Sequence, residues 1–226
     1  ISNERTVEGF SHTSVLPDEV IALLAPRAGG VYCDGTLGGG GHSEQILRAS
    51  DPDGRVFGID RDPAALAAAG ERLRGFAGRL VALHGEFADM PALLRAQGID
   101  KVDGIVLDLG VSSPQLDQAA RGFSFTKPGP LDMRMDPTSG PSALECLREW
   151  TEPELATILR DFGEERHHRR IARLIHQAVR DGKLSTTTEL ADIAASGIPS
   201  IERAKSKIHP ATRTFQAIRI AVNREL

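Results

Sequence analysis

The sequence predicts an α/β protein: a parallel, doubly wound sheet followed by a mainly helical insertion. Three observations carry this. Up to about residue 110, apolar runs bounded by turn residues alternate with runs of helical spacing, which is the pattern of successive β-α units. A burst of glycine sits between the first strand and the helix after it, where α/β sheets receive ligands. From Ala143 to Ala195 the alternation is replaced by continuous helical patterning.

The elements follow in order. Val15, Leu16, Val20, Leu23 and Leu24 fall at helical spacing and predict a helix over 14–25. The first strand is 30–34, and a helix runs from about Gly41 to Ala49. Asp51-Pro52-Asp53-Gly54 is a turn, and the second strand is Arg55–Asp60. Asp62 caps an Ala-rich helix that has Pro63 at its first position and reaches about Arg74. The third strand is Leu80–His84. A helix capped by Asp89 covers 91–97, and the fourth strand is 102–109. Residues 111–140, rich in Pro, Gly and Ser, read as loop. Helices are then expected over 142–149, 152–162, 164–181 and 186–195, each bounded by Thr, Pro or Gly. Residues 215–222 fit a strand or a helix. The domain reading is a cofactor-binding α/β part over 1–112, a helical insertion over 113–200, and a return to the core over 201–226.

Composition narrows the class. The chain has 226 residues, 40% apolar and 26% charged, as in soluble globular proteins. No apolar run approaches the roughly 18 residues of a membrane span, and Ile1-Ser2-Asn3-Glu4-Arg5 opens without a signal-peptide core. Cys33 and Cys146 have no metal or redox spacing, which predicts buried free thiols in a reducing, cytoplasmic compartment and no metal site. The net charge of −4 argues by itself against a nucleic-acid partner, but the charge is segregated. Six Lys/Arg and one acid lie between Arg166 and Lys183, and six Lys/Arg and no acid between Arg203 and Arg224. A basic second half suits a polyanion; solvated basic helix faces are the plainer alternative.

Chemistry concentrates at the strand ends. Asp34-Gly35-Thr36-Leu37-Gly38-Gly39-Gly40-Gly41-His42 holds five glycines in nine residues. It contains no Gly-x-Gly-x-x-Gly, so the dinucleotide fingerprint fails. An acid at Asp34 would repel a pyrophosphate and suit a cofactor with a positive amine, such as the amino-acid end of S-adenosylmethionine. Asp60 ends the second strand, where a carboxylate accepts from ribose hydroxyls. The competing role for Asp60, capping the Asp-Arg-Asp-Pro turn, falls to Asp62. Phe87 follows the third strand and suits an adenine face or the core. Asp108 ends the fourth strand, where such sheets place reactive groups.

Several longer motifs join these: His12-Thr13-Ser14-Val15-Leu16, the Asp34 to Gly38 run, and Asp108-Leu109-Gly110-Val111-Ser112-Ser113-Pro114-Gln115-Leu116-Asp117. Downstream stand Arg121-Gly122-Phe123-Ser124-Phe125, Gly129-Pro130-Leu131-Asp132-Met133-Arg134-Met135-Asp136, Gly163-Glu164-Glu165-Arg166 and His209-Pro210-Ala211-Thr212-Arg213-Thr214-Phe215-Gln216-Ala217. From about His12 to Leu226 the chain closely resembles the bacterial 16S ribosomal RNA (cytosine-N4)-methyltransferases. The resemblance implies a Rossmann-like class I methyltransferase fold with an inserted helical subdomain. It implies S-adenosylmethionine held by Gly40, Gly41, His42, Asp60, Phe87, Asp108 and Gln115, and a helical insertion that contributes to recognition of 16S rRNA in the small ribosomal subunit.

That chemistry needs acceptors. The N4 amine of cytosine is a weak nucleophile because its lone pair is conjugated with the ring, so the site must hold its N–H groups and aim the lone pair at the methyl donor. Ser112-Ser113-Pro114-Gln115 is the nearest equivalent of the Asp/Asn/Ser-Pro-Pro-aromatic loop of amino-methyltransferases, without the second proline and the aromatic. Asp108, Ser113 and Asp132 are the candidate acceptors. Phe123 and Phe125 can stack on an extruded base or anchor the loop. Arg134, Arg166 and Arg213 can bind phosphate or form internal ion pairs, and His209 reads as a loop histidine. The resemblance also implies further strands, including a Ser-Phe-His-Ser-Leu-Glu segment, that this sequence lacks. The expectation is an incomplete sheet with an exposed fourth strand, impaired catalysis and homodimer formation or swapping. Two other readings stay open: a nicotinamide-dependent oxidoreductase, and a non-catalytic RNA-binding or assembly protein on the same fold.

Overall fold

A computed structural model describes residues 15–76 and 78–226; the His12-Thr13-Ser14 part of the first motif lies outside them. The described residues up to 113 form one unit and residues 114–226 another.

In the first unit, helix α1 (Pro17–Leu24), strand β1 (Val31–Asp34), α2 (Gly41–Ala49), β2 (Arg55–Asp60), α3 (Pro63–Arg72), β3 (Leu80–His84), α4 (Met90–Ala96) and β4 (Gly104–Val106) alternate as the sequence predicts. All pairings are parallel and the order is β3-β2-β1-β4. The apolar strands need cover on both faces, and the period of two supplies it. Tyr32, Val56 and Val106 join Ile46, Leu47 and Leu73 in one cluster. Cys33, Phe57 and Ile59 join Met90 and Leu94 in the other. Each fully buried large side chain contributes about 1.5–3 kcal/mol.

Asp62 caps α3 as expected, accepting from the Ala64 N–H at 3.0 Å, whereas Asp89 stands at the start of α4 without a side-chain cap bond. Strand β4 is shorter than the predicted 102–109. Its ladder runs only along β1, which ends at Asp34, and the last rung is the Gly35 N–H to the Val106 carbonyl at 2.9 Å. Beyond it the chain is exposed, with Leu107 at 46% and Leu109 at 59%.

The second unit is helical: α5 (Ser113–Asp117, which begins at the boundary), α6 (Ala143–Glu149), α7 (Glu152–Asp161), α8 (His168–Arg180), α9 (Thr187–Ser196), α10 (Ser200–Lys205) and α11 (Thr212–Asn223). Capping boxes open α6 (Ser142/Glu145), α7 (Thr151/Glu154) and α9 (Thr186/Glu189), the arrangement that Ser/Thr-x-x-Glu encodes. Helix α8 starts at His168 rather than 164 because Glu165 turns back to accept the His167 N–H at 2.8 Å. Leu147, Leu155, Leu159, Ile171, Ile175 and Ile218 are almost fully buried and make the core of this unit.

Two expectations change here. Residues 201–226 were expected to return to the methyltransferase core; they fall in the second unit, where α11 packs on α7 and α6. Residues 111–140 hold the short α5 and a single 3-10 turn at Ala119–Arg121 where only loop was read, and the rest is a packed loop. Leu131, Met133 and Met135 are buried, and Asn223 clamps them from α11. Its Nδ2 donates to the Met133 carbonyl at 2.7 Å and its Oδ1 accepts from the Met135 N–H at 2.7 Å.

Candidate functional site

The turn between β1 and α2 is knitted into both neighbouring strands. The Leu37 N–H reaches the Ile59 carbonyl at 2.9 Å and the Gly35 N–H reaches Val106. Asp34 is buried beneath it. One oxygen accepts from the Ser43 hydroxyl at 2.7 Å and the other from the Thr36 N–H at 3.2 Å. Burial pushes the Asp34 carboxyl above its ordinary value, against the pull of those two bonds. Asp34 is therefore the fastener of the turn, a role different from the open amine acceptor read from the sequence. Ser43 and Thr36 escaped that reading. Their signal was local: an Asp whose side chain takes the N–H two residues on is an Asx-turn.

The turn ends at Gly40, which stands at φ 79° as the N-cap of α2. A side chain there would meet Leu73 Cδ1 at 2.9 Å, so only glycine fits. No side chain caps the helix, and the Gly41, His42 and Ser43 N–H groups stand at its positive end. His42 is buried, and its Nδ1 meets no hydrogen-bond partner among the described residues. A buried polar atom without a partner calls for a reason. Its Nε2 lies 3.7 Å from Asp108 Oδ2.

Asp60 faces the same turn. Its oxygens accept from the Gly38 N–H at 2.7 Å and the Asp62 N–H at 2.8 Å, and each keeps a free acceptor position. Burial raises its carboxyl above the ordinary value, opposed by those N–H groups. Asp108 is half-exposed just past β4, and its main-chain N–H donates to Thr36 Oγ1 at 2.7 Å. Phe87 is half-buried beside Met90 and lies 3.3 Å from where a Gly35 side chain would begin.

The structure thus brings Gly40, Gly41, His42, Asp60, Phe87 and Asp108 to the carboxyl ends of the four adjacent strands. Cys33, next to Asp34, is inert: burial pushes its thiol up to about 12. These groups fit a ligand with a carboxylate for the open helix end and a diol for Asp60, and the orphaned His42 Nδ1 supplies one more polar contact.

The other expected site residues stand differently. Asp132 and Arg134 are committed to each other, with Nε to Oδ1 at 2.9 Å and Nη2 to Oδ2 at 2.7 Å. For Arg134 this is the internal ion pair that the sequence left open beside phosphate binding, and it makes Asp132 part of the same local turn. Phe123 is 6% exposed, under the Arg121 guanidinium, and Phe125 packs on His209 at 4.5 Å and Phe215 at 4.8 Å. Both anchor the loop, one of the two roles the sequence left open for them. Ser113 is half-buried at the start of α5, while Gln115 is buried on that helix in the second unit. Arg166 and Arg213 line a cleft of the second unit.

Among known proteins, residues 9–226 match the MraW methylase family. The curated relatives include the ribosomal RNA small subunit methyltransferase H of Trichlorobacter lovleyi, 56% identical over 97% of this chain and 70% of that protein. The protein of the same name from Citrifermentans bemidjiense is 52% identical over the same shares. A solved precorrin-8w decarboxylase of Methanobacterium thermoautotrophicum is a distant likeness, at 22% identity and a TM-score of 0.36 over 45% of this chain and 52% of its own. No helix among the described residues is long and apolar enough to cross a membrane.

Proposed function

This chain belongs to the MraW methylase family, and from that premise we propose that it transfers a methyl group from S-adenosylmethionine to the N4 amine of a cytidine in 16S rRNA. The observation that carries the reading is the pairing, in one turn, of an uncapped helix end and orphaned His42 Nδ1 with the Asp60 carboxylate. The relatives named for the small-subunit ribosomal RNA supply the substrate class. The charge of the second unit agrees with it, since the basic runs from Arg166 to Lys183 and from Arg203 to Arg224 both fall there.

When bound, S-adenosylmethionine supplies an electrophilic methyl on a sulfonium centre. The residues of the chain divide the remaining work. The N–H groups of Gly41 and His42 hold the amino-acid carboxylate at the positive end of α2. Asp34 fixes the shape of the turn from below. The free acceptor positions of Asp60 take the ribose hydroxyls, and Phe87 presents a ring to the adenine. Asp108 accepts an N–H of the cytosine amine, which turns the lone pair out of conjugation and towards the methyl group. Its carboxylate then receives the proton released by transfer, steadied by His42 Nε2 at 3.7 Å. The Ser113 hydroxyl, at the start of the helix that follows β4, is the second candidate acceptor. Little acid–base force is required, so orientation provides most of the acceleration.

The experiment is transfer of labelled methyl to small ribosomal subunits and to naked 16S rRNA, followed by nucleoside digestion. Label in N4-methylcytidine supports the reading, and label in another nucleoside or none overturns it. Asp108→Ala should lower transfer by at least about a hundredfold, the scale of one lost electrostatic group at the reacting centre; retained activity removes Asp108 from the site.

A further inference from the structure

We propose that a cleft in the second unit, where the turns into α8 and α11 meet α10, seats one phosphate-sugar unit of the RNA substrate; this rests on the reading of that substrate as RNA. The cleft has a volume of about 260 Å³ and is lined by Arg166, Arg203 and Arg213. Small-molecule sites run about 300–1,000 Å³, so this one suits a single group rather than a whole cofactor.

Charge points to an anion. Among the described residues, Arg166 and Arg203 have no side-chain hydrogen-bond or ion-pair partner. Arg213 donates through Nη1 to the Glu164 carbonyl at 3.0 Å, which orients its guanidinium without neutralising it. The two acids of the lining are already engaged. Glu165 accepts the His167 N–H at 2.8 Å, and Glu202 lies 2.9 Å from His167 Nε2. Three guanidiniums stand against two carboxylates in the lining, and Lys205 and Lys207 on the adjoining segment add to the positive excess.

Backbone and ring geometry add to this. Helices α8 and α11 both begin at the cleft, and neither has a side-chain cap, so two positive helix ends face it. His209 Nδ1 accepts the Ala211 N–H at 3.2 Å, which leaves Nε2 as the donor nitrogen of the neutral ring. Phe125 holds that ring at 4.5 Å. Ile208 and Pro210 give the lining an apolar side suited to a sugar edge.

The local fold is shaped for this. A side chain at Gly163 would meet the Leu159 carbonyl at 2.9 Å and Ala217 Cβ at 3.0 Å, so glycine lets the end of α7 lie against α11. The next residue, Glu164, is held at φ 49°, a conformation that persists only where its surroundings enforce it. Its carbonyl is the one that aims Arg213.

The test compares the full chain with an Arg166→Ala/Arg203→Ala double variant and with its Arg→Lys counterpart. Binding of a short fluorescein-labelled single-stranded oligoribonucleotide is read by anisotropy across a salt series. The alanine pair should weaken binding roughly tenfold per arginine, the scale of a charged hydrogen bond. It should also reduce the slope of log affinity against log salt by about 0.7 per lost contact. The lysine pair should keep the slope and lose part of the affinity. Melting temperature and S-adenosylmethionine affinity should stay as in the wild type. RNA affinity and slope unchanged in the alanine pair, or no RNA binding by the wild type, would overturn the cleft. Failure of the functional reading is separate: a wild type that binds the oligonucleotide through these arginines yet transfers no methyl group refutes the activity and leaves the cleft standing.

Discussion

Asp132 and Arg134 sit two residues apart, and that closeness decides their role. The Arg134 N–H and its guanidinium both reach Asp132, so a local turn is closed by its own ion pair. Burial alone would raise the Asp132 carboxyl, but the bonds from Arg134 outweigh it and hold the group below its ordinary value. The sign follows from linkage. A depressed carboxyl contributes stability that is present above the unfolded value, about 3.9, and lost as pH falls through the folded one. Arg134→Met should therefore destabilise the chain most above pH ~4, with the gap to wild type closing at lower pH. Denaturant unfolding over a pH series reads this directly, and a gap that does not vary with pH would rule the ion pair out as its cause. The acids of the ligand turn run the other way. Asp34 and Asp60 are raised by burial, so their effect on folding is most favourable in acid and is lost as pH rises through their folded values. Carboxylates disfavoured by folding yet retained at strand ends are a functional signature.

Asn223, the last residue of α11, ties that helix to a loop about ninety positions earlier in the chain. Met133, between its two contacts, is fully buried at φ 58°, a costly conformation for a long side chain. Its own N–H reaches the Arg121 carbonyl at 3.0 Å, so the loop is fixed from both sides. Asn223→Ala strips the Met133 carbonyl and the Met135 N–H of their partner. At about 1–3 kcal/mol for each buried group left unpaired, the expected loss is about 2–6 kcal/mol. A urea midpoint that gives less than ~1 kcal/mol would show that the loop relaxes to water without cost. This clamp was invisible in the sequence because nothing local links an asparagine at a helix end to a Pro/Gly-rich loop. The elements that were legible had local causes. The Thr, Pro and Gly boundaries of the helices and the Asp62-Pro63 start were read from residues within one turn of each other, and the structure closes three of those starts as capping boxes at Ser142, Thr151 and Thr186. The end of β4 was misread because strand length depends on a partner, and β1 stops at Asp34. Residues 215–222 were ambiguous for the same reason: only packing on α7 shows which face of that segment is buried.

At the scale of the molecule, charge separates the two tasks. The turn to which we assign the cofactor lies in the first unit and relies on buried or partly buried groups: an uncapped helix end, His42 and Asp60. The arginines of the cleft lie in the second unit, are reached by solvent and have few partners. The two sets should differ in their response to ions. Screening acts on exposed charges over a Debye length of about 8–10 Å at ordinary salt and much less on buried ones. Raising salt from about 50 mM to about 200 mM should thus weaken RNA binding with a slope near −0.7 per phosphate contacted, while S-adenosylmethionine affinity changes by less than about twofold. Calorimetry for the cofactor and anisotropy for the RNA measure both on one preparation. A cofactor affinity that falls in parallel with RNA affinity would mean that the first unit also binds through surface charge, and would transfer the Asp60 carboxylate from a hydrogen-bonding role to a purely electrostatic one. Parallel insensitivity would mean that the RNA is held by shape and stacking, and the half-buried Phe125, now read as an anchor, would be the first residue to re-examine.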